Sequence, residues 1–140
     1  MKKIFFLILL STTISLAQKK SSLSSTPSSL DTIVLAGGCY WCVEAVYENL
    51  KGVQKVVSGF AGGTVKNPSY EAVSSGTTGA AEVVQITFNK NETNLDEIFK
   101  VFFTVHDPTT LNRQGADVGT QYRSAIFFKD EAQKKAGQQI

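Results

Sequence analysis

The sequence has no apolar run long enough to hold a bilayer. Its longest is Ile4 to Leu10, with a weaker stretch to Leu16, and a spanning helix takes about 20 apolar residues. Histidine is almost absent: His106 is the only one, beside only two cysteines, Cys39 and Cys42. Those three cannot complete a four-ligand zinc site without borrowing a carboxylate, and their spacing matches no usual ligand pattern. His106 reads instead as a helix-end residue that binds nothing, and no metal is expected. There is no internal repeat, and 140 residues suffice for one domain with a modest core.

An excess of one charge is also missing once the first residues are set aside. Lys2 and Lys3 precede the apolar run, and Ser15-Leu16-Ala17 follows it with small residues where a signal peptidase reads. This is the form of a secretory signal peptide over residues 1–17. Removing those two lysines from the 14 basic residues leaves 12 against 12 acidic ones. Nothing remains to hold a run of phosphates, so nucleic acid is not an expected partner. The mature chain is expected to be periplasmic or extracellular, a monomer, and not stably inserted in a membrane. Residues 18–30 are Ser-rich and read as a flexible linker, which leaves residues 31–140 as the domain.

Within that domain the apolar pattern alternates between two periods. Thr32 to Ala36 is a short apolar run stopped by Gly37-Gly38, a buried strand. Val43, Val46, Tyr47 and Leu50 recur at helical spacing up to Gly52. Val53 to Phe60 is β-branched and extended. A long stretch from Thr64 to Ala81 is irregular, with one helical turn at Tyr70 to Ser74. Glu82 to Phe88 alternates as a strand. Asn94 and Glu97 form a capping-box pattern ahead of the stripe Leu95, Ile98, Phe99, Phe102 and Phe103. A second long loop covers Asp107 to Gln121. Ser124 to Phe128 is a last strand, and Asp130 caps a final polar helix. The order βαββαβ predicts an α+β fold: a ferredoxin-like antiparallel sheet with two helices on one face.

Export would place the two cysteines where disulfides persist. A staple across three residues constrains the unfolded chain very little, so the pair reads as chemistry. Cys39 sits where a strand hands over to a helix, facing unpaired N–H groups and the positive end of the helix dipole, which both favour thiolate. The alternative is a small buried hydrophobe. The preceding glycines favour reactivity by allowing close approach to the backbone. Tyr40 and Trp41 either wall a small apolar pocket or belong to the core. Glu82 shares the parity of Val84, Ile86 and Phe88. It therefore either leans toward the buried side, where a carboxyl has a raised pKa suited to a general acid, or marks a strand end facing water.

The run Gly37-Gly38-Cys39-Tyr40-Trp41-Cys42-Val43-Glu44 closely resembles the signature of peptide methionine sulfoxide reductase A. The likeness continues through Ser58 to Gly63, Asn67 to Val73 and Gly79 to Val83, and is densest from His106 to Ile126. It implies a ferredoxin-like core and reduction of the S epimer of methionine sulfoxide, free or in oxidised proteins, a repair activity under oxidative stress. By position it makes Cys39 the nucleophile and Glu82 the acid. Tyr70 and Tyr122 would bond the sulfoxide oxygen, Asp117 would help position the site, and Tyr40 with Trp41 would hold the methyl group. No cofactor is implied, only an external thioredoxin-type thiol reductant, with Cys42 as a possible resolving cysteine or else a packed hydrophobe. Two features depart from the family: Ala80 stands where His is usual, and relatives continue beyond the position of Ile140. Two other functions remain open. One is a thioredoxin-like disulfide oxidoreductase using Cys39-x-x-Cys42; the other is a non-enzymatic envelope binding module with an aromatic pocket.

Overall fold

The structure is a computed structural model that describes residues 28–140. The expected signal peptide and all of the expected linker up to residue 27 lie outside the described residues. Strand β1 (Leu30–Ala36) leads into helix α1 (Tyr40–Tyr47), then strand β2 (Val53–Ala61), the single turn α2 (Tyr70–Ser74) and strand β3 (Ala81–Asn89). Helix α3 (Leu95–Val105) follows, then the two-residue strands β4 (Arg113–Gln114) and β5 (Asp117–Val118), and a 3-10 turn at Thr120–Tyr122. Strand β6 (Ala125–Phe127) and helix α4 (Glu131–Gln138) complete the order.

Four strands form one sheet in the order β2-β3-β1-β6, antiparallel at every pairing. β1 and β2 are thus parallel to each other around β3, as β3 and β6 are around β1. This is the ferredoxin-like split βαβ arrangement expected from the element order. Register explains the core. Ile33 pairs with Ile86 and Leu35 with Val84, which puts their side chains on one face. Phe88 joins them, and both helices bury against that face through Val43 and Tyr47 from α1 and Ile98, Phe99 and Phe102 from α3. The Tyr47 hydroxyl donates to the Ile98 carbonyl at 2.7 Å, so the one polar atom in this layer is satisfied. Burial pushes that phenol far above its ordinary value. The opposite face carries a smaller cluster of Ala36, Ala81 and Val83, flanked by Phe127.

Several local expectations need adjustment. Strand β1 begins at Leu30, inside the expected linker, because Leu30 pairs with Asn89 and the Ser29 carbonyl accepts the Lys90 N–H at 2.7 Å. Helix α1 stops at Tyr47 and not at Leu50. The capping box is half made: Asn94 accepts the Glu97 N–H at 3.0 Å, but the Glu97 carboxylate turns away to Lys100. The loop from Asp107 holds a hairpin that pairs Arg113 with Val118 and Gln114 with Asp117. Helix α4 buries Gln133, which is 2% exposed. Strand β6 covers only Val34 to Ala36 of β1, and the Gln133 amide donates to the otherwise open Thr32 carbonyl at 2.7 Å. Lys129 closes the same edge through an ion pair with Asp31.

Candidate active site

Cys39 is the N-cap residue of α1, half-buried, and its carbonyl accepts the N–H groups of Cys42 and Val43 at 3.1 and 3.3 Å. Its own side chain makes no cap hydrogen bond. That role passes to Glu82 on β3: the Tyr40 N–H donates to Glu82 Oε2, 42 positions further on, at 3.0 Å. Strand parity turns Glu82 inward, and it is 3% exposed. A buried carboxyl is therefore tied to the first turn of the helix that carries the thiol. Burial raises its pKa, the Tyr40 N–H opposes that, the Asp117 charge adds to it, and the net shift is upward.

The glycines before Cys39 do not leave the open approach expected of them. Gly38 lies at φ +87, a conformation that excludes most side chains. A Cβ there would fall 2.6 Å from Gln114 Cβ, and one at Gly37 would fall 2.9 Å from the Phe102 ring. The space is filled by the chain itself. Packing of Gln114 onto Gly38 brings the β4–β5 hairpin against the helix start, and with it Asp117. A cavity of about 300 Å³ has Cys39, Cys42, Val46, Val105 and Asp117 among its lining residues.

Cys42 is exposed, which removes its alternative as a packed core residue. It lines the same cavity as Cys39. The neighbouring Cys39, with burial, Asp117 and Glu82 behind it, raises the Cys42 pKa, so Cys42 is held as the thiol.

The aromatic residues form a row. The Tyr40 ring stacks on Phe60 at 5.8 Å and tilts against Trp41 at 5.5 Å. Trp41 is 64% exposed, so it forms a rim rather than core. Phe60 was not among the expected site residues. Its signal was its place in β2 opposite Glu82 in the sheet. Burial first, and then the charge of Glu82, raises the phenols of both Tyr40 and Tyr122. Both therefore remain protonated hydrogen-bond donors. Tyr70, exposed on α2, and Cys39 also contribute to both shifts, which places each of them within electrostatic reach of Tyr40 and Tyr122.

His106 is 7% exposed, with its Nδ1 2.6 Å from the Phe102 carbonyl and its ring 4.0 Å from that of Phe102. A carbonyl only accepts, so Nδ1 carries the proton. Among the described residues no group of three or more His, Cys, Asp or Glu side chains is arranged to hold a metal. Ala80 is buried, 2.8 Å from where a Cβ on Gly63 would lie, and its N–H donates to Thr78 Oγ1 at 3.2 Å. The local hydrogen bonding before Glu82 thus runs through a threonine hydroxyl.

The sequence profile of the family described as peptide methionine sulfoxide reductase matches residues 31–140. Peptide methionine sulfoxide reductase MsrA of Trichodesmium erythraeum is 53% identical over 111 residues, covering 79% of this chain and 63% of that protein. The MsrA of Deinococcus radiodurans is 48% identical over 127 residues, covering 90% and 62%. Among solved structures, methionine sulfoxide reductase A of Corynebacterium diphtheriae superposes with a TM-score of 0.74 at 32% identity, over 81% of this chain and 57% of that one. Mxr1 of Saccharomyces cerevisiae in its reduced form gives 0.74 at 38% identity, over 80% and 67%. This chain spans a little over six-tenths of the length of the curated relatives it matches. These likenesses do not favour the disulfide oxidoreductase or the binding module. With a family profile running the length of the domain, a shared fold and half of the aligned residues identical, the chain belongs to the peptide methionine sulfoxide reductase family.

Proposed function

We propose that this chain reduces the S epimer of methionine sulfoxide, free or within oxidised proteins, to methionine. The observation that carries the reading is the 3.0 Å bond from the Tyr40 N–H to Glu82, which fixes a buried carboxyl of raised pKa beside the thiol-bearing helix start. Sulfoxide oxygen leaves poorly until it is protonated. Glu82 gives it a proton while the Cys39 thiolate attacks the sulfur. The attack joins the two sulfurs, and the S–O bond breaks with the protonated oxygen leaving as hydroxide. That hydroxide adds to the Cys39 sulfur as the S–S bond breaks, so methionine departs and Cys39 is left as sulfenic acid. Tyr122 and Tyr70 hold the oxygen, Asp117 keeps the Glu82 proton in place by its charge, and Tyr40 with Trp41 receives the methyl group.

The shared cavity and three-residue spacing of Cys39 and Cys42 support a route for recycling. The Cys42 thiol attacks the sulfenic acid, water leaves, and the resulting disulfide is reduced by a thioredoxin-like dithiol, which becomes oxidised in turn. The enzyme acts as a monomer in the periplasm or outside the cell. Lys2-Lys3, the apolar run and Ser15-Leu16-Ala17 support the location, with a mature chain beginning at Gln18.

The test is incubation with separate S and R epimers of a methionine sulfoxide peptide plus dithiothreitol. A fixed acid, nucleophile and methyl pocket accept one chirality at sulfur, so only the S epimer should be consumed. Equal rates on both epimers, or none on either from folded protein, would overturn the assignment.

A further inference from the structure

Gln121 has no part in the chemistry above, yet the chain makes unusual room for it. It is 6% exposed in the middle of the 3-10 turn, and its amide Nε2 donates to the carbonyl of Ser74 at 3.3 Å. Ser74 is the last residue of α2, one helical turn after Tyr70, and Gln121 immediately precedes Tyr122. This bond, across 47 positions, is the only one from a side chain that joins the two segments among the described residues. Two glycines at positive φ flank the amide. A Cβ on Gly119 would lie 2.3 Å from Gln121 Oε1, and one on Gly76 would lie 3.9 Å from it. A side chain at 119 would drive the amide out of its seat.

We propose that Gln121 is a positioning residue: its amide ties α2 to the 3-10 turn and so sets the separation of the Tyr70 and Tyr122 phenols. The inference rests on the reading that these two phenols hold the sulfoxide oxygen. Neither segment has regular structure longer than about one turn, so neither can fix its tyrosine alone. α2 is one turn between loops, and the 3-10 turn is three residues. Two donors must meet one oxygen together, and a small misplacement of either loses much of their joint effect. A buried amide with a single carbonyl partner is a stiff link, because leaving that partner exposes an unpaired polar group to the interior.

The test is a double-mutant cycle read on single-turnover methionine release. Gln121→Met keeps the volume and removes the donor. It should slow release about 10-fold or more, as expected for imperfect alignment of donors. Alkylation of Cys39 should proceed at the wild-type rate. In a Tyr70→Phe/Tyr122→Phe background the same change should cost nothing further, since the groups it aligns are gone. If Gln121→Met slows both backgrounds equally, or neither, Gln121 does not act through the tyrosines and the proposal falls. If the double phenylalanine variant itself releases methionine at the wild-type rate, the oxygen-holding reading fails first and takes the inference with it. Gln121→Asn retains the amide but is one methylene short. It should reproduce the pattern if Gln121→Met does not fold, and a wild-type rate in it would count against the clamp.

Discussion

The carboxyl of Glu82 is held between two opposing influences. Burial and the Asp117 charge favour its protonated form, while the Tyr40 N–H favours the carboxylate, and burial wins. Its proton is therefore bound more tightly in the folded chain than in the unfolded one. Such a group adds stability below the ordinary carboxylate range and loses that contribution as pH rises through its raised value. Glu82→Gln keeps an oxygen to accept from Tyr40 and removes the charge. Urea midpoints at pH 8 should be higher for the variant than for the wild type, with the gap closing in acid. Methionine release in a single turnover should slow by about 10²- to 10⁴-fold, the usual span for losing a general acid. Equal midpoints at both pH values would mean that the N–H bond cancels the cost of burial. At this scale the sequence was informative through parity: Glu82 shares the face of Val84 and Ile86, and it is buried with them. What it could not show was the partner, because a backbone N–H leaves no trace in residue type.

The elements that carry the site divide by length. α3, with its dense apolar stripe, and β3, with its alternation, declare themselves through periodicity over nine or more residues. The β4–β5 hairpin has two residues per strand and so has no period to read. Its place is set by tertiary contact of Gln114 with Gly38, which also explains why the glycine pair was misread as an opening for substrate. The first turn of α1 presents the most direct test of an element acting as a unit. It sets Cys42 three residues from Cys39 and leaves it exposed, with both cysteines lining one cavity. In Cys42→Ser, the first turnover should release methionine at the wild-type rate, while steady-state turnover with thioredoxin becomes slow and sulfenic acid accumulates. If both rates match those of the wild type, the reductant meets Cys39 directly. Cys39→Ser serves as the blank, because a hydroxyl at neutral pH is far less nucleophilic than a thiolate.

Across the whole molecule, the two helices are held to each other as well as to the sheet. Tyr47 on α1 donates to the Ile98 carbonyl on α3 from a fully buried position. Tyr47→Phe should lower stability by about 1 kcal/mol, the usual net value of one internal hydrogen bond. The urea midpoint should fall with an unchanged slope, and turnover per folded molecule should stay the same. A loss of turnover without a loss of stability would mean that the helix pair tunes the site. The strand and helix order foretold this architecture because each segment can bury its apolar face in only one layer. The closure of β1 was not foretold, since it depends on one glutamine in a helix that otherwise carries only charged or amide side chains and small residues.

That closure has a consequence for how the chain comes to be made. β1 is among the first elements to be synthesised, and its outer half is covered by Lys129 and Gln133, 98 and 101 positions later. Until those residues emerge, the backbone groups around Thr32 remain unpaired and available to any extended strand that meets them. Contacts of such long range form late and leave a window in which copies can pair edge to edge. Of the two closures the Gln133 amide is neutral and indifferent to salt and pH, whereas the Lys129–Asp31 ion pair weakens in salt and in acid. Those conditions therefore widen the window on one side only, and chain concentration decides what enters it.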